Sequence, residues 1–360
     1  MNSQNKIILA LPAVALILTT TFANADQKKE IAKPAKASPA SAFPSLLTII
    51  RAPLLMRGLY PVGHRLVPGV APSGAVGTNA KYKEGSNSEW SVELQSNGGE
   101  LAQAGVALTY PSIVDYSWII LDWAFKKQGA DGGFPGTTDA FHGTAMFVES
   151  VARSLLLEQQ SGDLKYKVII SSHLDKLHNA ALWLLKPAVQ AKGKESDAPY
   201  THRRWLLAAA LGESAELTGD KRLAIAAQQY AQEGLKLQEP GGINPERKSF
   251  ETSYQGLGVV YAERYATVCH DQKLRDQIKS MITRALQWEQ TQVDKSGEIV
   301  QARNNSGQPI DYRIIFQAFA LGHQLTQNES FEKSAETIAL GRRWLPATNY
   351  ASEAPRPKAR

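Results

Sequence analysis

The sequence predicts an all-α fold in which helical hairpins close into an (α/α) toroid carrying short hairpins on its rim. Apolar residues recur at helical spacing through 112–128, 140–159, 166–190, 200–218, 221–237, 252–269, 271–292, 310–326 and 329–344, and few stretches alternate with period two for long enough to make a strand. The helices are also of two kinds. "DAFHGTAMFVESVA", "YTHRRWLLAAALGE", "TSYQGLGVVYAERY" and "DYRIIFQAFALGHQ" begin with polar and aromatic groups and continue with small or apolar ones. Between them come helices with charged faces, such as "KRLAIAAQQYAQEGLKL". His142, His202, Tyr254 and Tyr312 mark the first kind, and they lie one helical hairpin plus one loop apart, as in a degenerate internal repeat.

Taken in chain order, residues 1–25 read as a cleaved signal peptide: Lys6, an apolar run from Ile7 to Leu18, and the small-residue site Ala23-Asn24-Ala25. Residues 26–45 are a low-complexity linker rich in Lys, Ala, Ser and Pro. Residues 46–110 are rich in Gly, Pro and Ser and are expected to be irregular, with one or two short helices. The toroid is expected over 111–346 and a flexible tail over 347–360. Three loops, "DGGFPGTTDAFH", "PGGINPERKSFETSY" and "SGEIVQARNNSGQPIDY", each run from a glycine turn to the polar start of an apolar helix, so each should form a rim hairpin. In a closed ring, those polar starts surround one cavity.

The leader places the protein in a periplasm or outside the cell, with no membrane partner after cleavage. The formal charge is +6, one unit of it from Lys6 in the leader; this suits an anionic partner. Nucleic acid is excluded by the address and by the lack of a basic stripe or a groove-reading motif. Cys269 is the only cysteine, so stability must come from an apolar core. There is no HExxH, paired-cysteine, P-loop or GxSxG pattern, and no metal or cofactor is called for. His173 and His178, five apart, read as solvated outer-helix residues. A monomer is expected.

The rim set is His142, Tyr200, His202, Arg203, Arg204, Arg247, Tyr254, Gln255, Tyr312 and Arg313. Asp131, Asp139, Glu246, Glu251 and Asp311 lie near it, which keeps a glycoside hydrolase with paired carboxylates open. Asp139 and Asp311 also suit helix N-caps. A non-catalytic periplasmic polysaccharide-binding or assembly protein stays open as well. Histidines, arginines and tyrosines together fit the β-elimination of a uronate polymer better. That reaction removes the C5 proton through an enolate-like transition state, so a positive or hydrogen-bonding group must neutralise the carboxylate. A tyrosine or histidine takes the proton, and a tyrosine can return one to the leaving C4 oxygen. Trp118, Trp123 and Trp205 are candidates for sugar stacking, with core positions as the plainer assignment.

"THRRW" resembles the asparagine–histidine segment, with a tryptophan three residues on, that opens an inner helix in toroidal alginate lyases. "RKSFETSY" places Arg247 seven residues before Tyr254, similar to the arginine and tyrosine that complete that family's site. The step from His202 to Tyr254 also resembles the separation of neutraliser and catalytic tyrosine in heparinase-like toroidal lyases. The resemblance implies His202, Arg247 and Tyr254 as the catalytic set; His142, Arg203, Arg204, Tyr200, Gln255, Tyr312 and Arg313 are expected to bind substrate from their places in the rim set. Alginate, glucuronan and related exopolysaccharides all fit. This chain departs from the pattern at Thr201, where the family has asparagine; Arg203, Arg204 and Asn244 are the expected replacements. Tyr254 is also expected to have its phenolate favoured by the nearby charge of Arg247.

Overall fold

The computed structural model describes residues 70–85, 88–107, 110–247, 249–300 and 310–342. The expected leader, linker and tail lie outside the described residues. A 3₁₀ turn at Gly77–Lys81 and a helical turn at Val92–Gln95 come first. They are followed by α1 (Asn97–Ala107), α2 (Pro111–Phe125), α3 (Ala140–Gln160), α4 (Lys167–Leu184), α5 (Pro187–Asp197), α6 (Thr201–Thr218), α7 (Lys221–Leu237), α8 (Thr252–Val268), α9 (Gln272–Gln290), α10 (Tyr312–Thr326) and α11 (Glu329–Gly341). Among the described residues there are only isolated β-bridges and no strand.

Sequence type decides which layer each helix joins. On α7, Leu223, Ala226, Ala227, Tyr230, Ala231 and Gly234 are buried at helical spacing, leaving the other face wet. On α6, by contrast, Thr201, His202 and every residue from Arg204 to Ser214 are buried. A helix buried all round needs neighbours all round, and α6 packs on α3, α4, α7 and α8. Five helices form a row, α1 on α3, α3 on α6, α6 on α8 and α8 on α10, while α2, α4, α7, α9 and α11 pair with them as the second arms of hairpins. Each fully buried Leu or Phe in this core stabilises by about 1.5–3 kcal/mol.

Buried ion pairs add a cross-link. Arg153 of α3 pairs with Glu149 at 3.0 Å and with Glu100 of α1 at 3.2 Å. Arg264 of α8 pairs with Glu149 at 2.6 Å and lies 3.7 Å from Glu100. These contacts tie α8 back to α1, although neither packs next to the other in the row.

The glycine turns that open the three loops are built alike. Gly132 donates to Gly129 O and Gly129 to Gly133 O; Gly242 donates to Glu239 O and Glu239 to Ile243 O; Gly297 donates to Asp294 O and Asp294 to Glu298 O. In each turn the glycine has a φ between 83° and 91° and sits on a backbone carbonyl of the outer helix, at Asn179, Arg284 or Thr337. The turn glycine is therefore required twice, by its left-handed backbone and by the lack of room for a Cβ.

Within 46–110, where one or two short helices are expected, the described residues hold the turn at Val92–Gln95 and the 11-residue α1, packed on α2 and α3. Its glycines look like loop signals in the sequence but serve close helix approach. A Cβ on Gly99 would lie 2.1 Å from Ser150 Oγ, and one on Gly105 would lie 2.7 Å from Val114. The helix expected over 166–190 ends at Leu184, and Pro187 then opens α5 at its first turn. His173 is buried rather than solvated, bonding Asp122 of α2 at 2.9 Å, and His178 bonds Asp220 at 2.8 Å. Trp118, Trp123 and Trp205 are all core.

Candidate functional site

The helices α7, α9, α10 and α11 carry conventional caps: Asp220, Asp271, Asp311 and Asn328 each accept a backbone N–H of the helix they precede. Helices α2, α4 and α5 start without one. So do α3, α6 and α8. Asp139, Tyr200 and Glu251 hold the N-cap positions there and none makes a side-chain cap bond. Asp139 does so with a left-handed backbone, φ 38°. Uncapped starts leave backbone N–H groups and the positive helix ends free to act on other groups.

At α6 that group is Glu246, from the rim loop before α8. One of its oxygens accepts from His202 N at 2.9 Å, and the other lies 2.8 Å from His202 Nδ1. Glu246 is 1 % exposed and His202 3 %. The loop is strapped down by a bridge between Tyr200 and Glu246, by Thr201 Oγ1 donating to Pro245 O, and by Arg247 N donating to Pro199 O. A buried carboxylate on Nδ1 selects the tautomer with its proton there, which leaves Nε2 of the neutral ring as an acceptor. Among the described residues His202 Nε2 has no hydrogen-bond partner.

Tyr254, on the first turn of α8, stacks on the His202 ring at 4.4 Å with 23° between planes. This proximity depends on Gly258 one turn further on, where a Cβ would come within 3.3 Å of His202 Cα and Cβ. Burial pushes the Tyr254 phenol up, Glu251 adds to the shift, and Arg203 opposes it. The expectation of a favoured phenolate is thus reversed. Arg203 is the cation that lowers the Tyr254 pKa most, Arg247 also interacts with Tyr254, and desolvation outweighs this pull. Tyr254 is a phenol in the resting site.

The two adjacent arginines diverge by about 100°, as helix geometry demands. Arg203 faces the site: its guanidinium lies 4.6 Å from the Tyr200 ring, 2.6 Å from Asp197 and 3.5 Å from Asp139. Burial raises the Asp197 carboxyl, against the pull of Arg203, and burial together with Asp139 raises Glu93 beside them. Arg204 turns the other way and lies 3.3 Å from Glu233 of α7, buried rather than solvated and away from the site. Arg247 takes a left-handed backbone, φ 60°, and donates from Nε and Nη2 to the Tyr200 hydroxyl at 2.9 and 2.8 Å. That hydrogen bond raises its already high pKa. Among the described residues no carboxylate lies within ion-pairing distance of Arg247.

His142 joins the group, its ring edge-on to His202 at 6.3 Å. His142, Tyr200, His202, Arg203, Arg247 and Tyr254 are therefore brought together. Besides Arg204, four expected contributors are not. Gln255 is fully buried, accepting from Asn244 N and donating to Gly242 O, so it pins the rim turn instead of meeting substrate. Asn244 is buried with its amide on Met281 Sδ at 3.8 Å and cannot stand in for an amide at position 201. Tyr312 donates to Glu298 at 2.8 Å under the Arg342 guanidinium, and Arg313 forks onto its own N-cap, Asp311. Both are occupied at the start of α10.

Glu246 is one of the five carboxylates that the sequence places near the rim set, and its bond to His202, 44 residues away, is what sequence reasoning missed. Comparison with family models finds no match to this chain, and comparison with curated proteins finds none either.

Proposed function

We propose that this protein is a secreted polysaccharide lyase that cleaves a uronate-containing polymer by β-elimination. The observation that carries the reading is the pairing of opposite proton tasks in one stack. His202 is held by Glu246 with an open acceptor nitrogen, and Tyr254 is kept protonated against it.

In this reading Arg247, the cation with no carboxylate partner of its own, clamps the uronate carboxylate from its seat on Tyr200. His202 Nε2 takes the C5 proton. The electron pair released forms the C4–C5 double bond as the C4–O bond breaks, and Tyr254 delivers its proton to the departing oxygen. His202 ends protonated and Tyr254 ionised, and a proton returned across the stack resets both. General acid and base of this kind contribute about 10²–10⁴-fold each.

The hairpin row, with ion pairs running from α8 back to α1, supports an (α/α) toroid whose inner-helix starts surround the site. The leader supports export, and among the described residues no helix is long and apolar enough to cross a membrane. A hydrolase is the competing reading, favoured by Asp139 standing beside two carboxyls, Glu93 and Asp197, whose protonated forms are stabilised.

One screen separates these. The mature chain is incubated with alginate, glucuronan and mixed uronate polymers while ultraviolet absorbance and reducing ends are followed together. Elimination raises both, because each cut leaves an unsaturated uronate. Reducing ends without absorbance would favour the hydrolase, and neither signal a binding protein.

A further inference from the structure

We propose that His142 supplies a neutral hydrogen bond to the substrate carboxylate as it becomes an enolate, the part an amide would play at position 201. This rests on the lyase reading. It starts from the side chains that are spoken for. Thr201 donates its hydroxyl to Pro245 O. Arg204 is committed to Glu233 and Asn244 to Met281. Arg203 meets Asp197 and Asp139 through Nη1 alone, and its Nε is sealed from solvent. With Arg247 on the carboxylate, the charge that develops during reaction still has room for a second, neutral donor beside it.

His142 fits that need. It lies on the first turn of α3 and is 8 % exposed. Its Nδ1 is sealed from solvent and meets no partner, whereas Nε2 is not sealed in this way. A sealed nitrogen left as a lone pair is less costly than a sealed orphan N–H, so the proton belongs on Nε2. Burial is the largest cause holding the ring uncharged, with Arg203 and His202 adding to it, and together they push its pKa down to about 2. His142 is therefore a donor at any working pH, and its neighbour His202 offers an acceptor. The charge of Arg247 and a neutral donor both interact more strongly as negative charge accumulates on the carboxylate, so a donor at His142 adds to Arg247 where the barrier is set. Keeping an imidazole uncharged beside an enolate is a sound way to polarise it.

The test compares wild type, His142→Ala and His142→Gln in the mature chain, on whichever uronate polymer the wild type cleaves. We expect kcat of the alanine variant to fall about 10²-fold with KM within a few-fold, the usual loss for one donor to a developing oxyanion. The glutamine variant, with a neutral N–H of its own, should recover about tenfold of that loss. Thermal melting checks that both fold. Wild-type kcat in the alanine variant would overturn the proposal, as would a glutamine variant no faster than alanine with melting unchanged. Should the alanine variant fail to fold, the glutamine variant decides: a kcat within about tenfold of wild type supports the proposal, and a larger loss overturns it. If the wild type leaves no unsaturated ends on any uronate polymer, the lyase reading itself fails, and this role of His142 with it.

Discussion

Tyr254 and His202 lie ring on ring, and their difference in role comes from what surrounds each. Burial keeps the tyrosine proton on, while Glu246 aims the histidine so that Nε2 stays open. Tyr254→Phe keeps the packing and deletes only the hydroxyl, so turnover should fall by about two to four orders of magnitude with melting little changed. Steady-state kinetics on the cleaved polymer check this, and normal turnover in the variant would move the acid elsewhere. Glu246→Gln weakens the hold on Nδ1 and on the His202 backbone at once. A loss of about 10²-fold or more in kcat is expected, with substrate affinity, measured by calorimetry, within a few-fold. His142, His202 and Tyr254 were legible in the sequence because each breaks an apolar helix at its first turn. The bond from Glu246 was not, since its partner is 44 residues away and reached only when the rim loop crosses the start of α6. Gln255 was misassigned for a similar reason: one position past Tyr254, the helix has already turned its side chain toward the loop.

At the scale of elements, helix positions followed from apolar periodicity, and the three rim turns from their glycine dipeptides. The helix α5 was merged into the one expected over 166–190, and α1, expected only as a short helix among loops, was hard to bound because glycine has two uses. In "NGGELAQAGVA" it permits backbones to approach, and the sequence alone does not separate that from a loop. Adjacent glycines in the second rim turn make the distinction measurable. Gly242 has φ 91° and its Cβ would lie 2.3 Å from Arg284 O, whereas a Cβ on Gly241 meets nothing within 4 Å. Gly242→Ala should destabilise by about 1–3 kcal/mol and loosen the loop that carries Glu246, while Gly241→Ala stays within about 0.5 kcal/mol. Urea unfolding of the pair checks this; equal stabilities would mean the turn does not need its left-handed glycine.

For the whole molecule, the notable charge is internal. Glu213, Glu263 and Glu289 are buried in the helical core, and both carboxylate oxygens of Glu263 and Glu289 lack partners. Burial pushes Glu289 up to about 8 from an ordinary 4.5. A carboxyl raised on folding stabilises most below its unfolded value, and that contribution fades as pH rises through the folded one. Stability should therefore decline between about pH 5 and pH 8. Glu289→Gln, which mimics the protonated form, should flatten that decline, and melting temperatures across the range measure it. An unchanged slope would show that Glu289 is not protonated in the folded chain.

Eliminative cleavage has one direct readout, the source of oxygen at the cut. The mature protein is incubated with its uronate polymer in heavy-oxygen water, and the oligosaccharides are examined by mass spectrometry. If Tyr254 and His202 work as described, each cut yields an unsaturated end lighter by one water, and neither new end takes heavy oxygen from the bond-breaking step. A saturated product carrying one heavy oxygen for each bond cut would contradict elimination and identify the enzyme as a hydrolase.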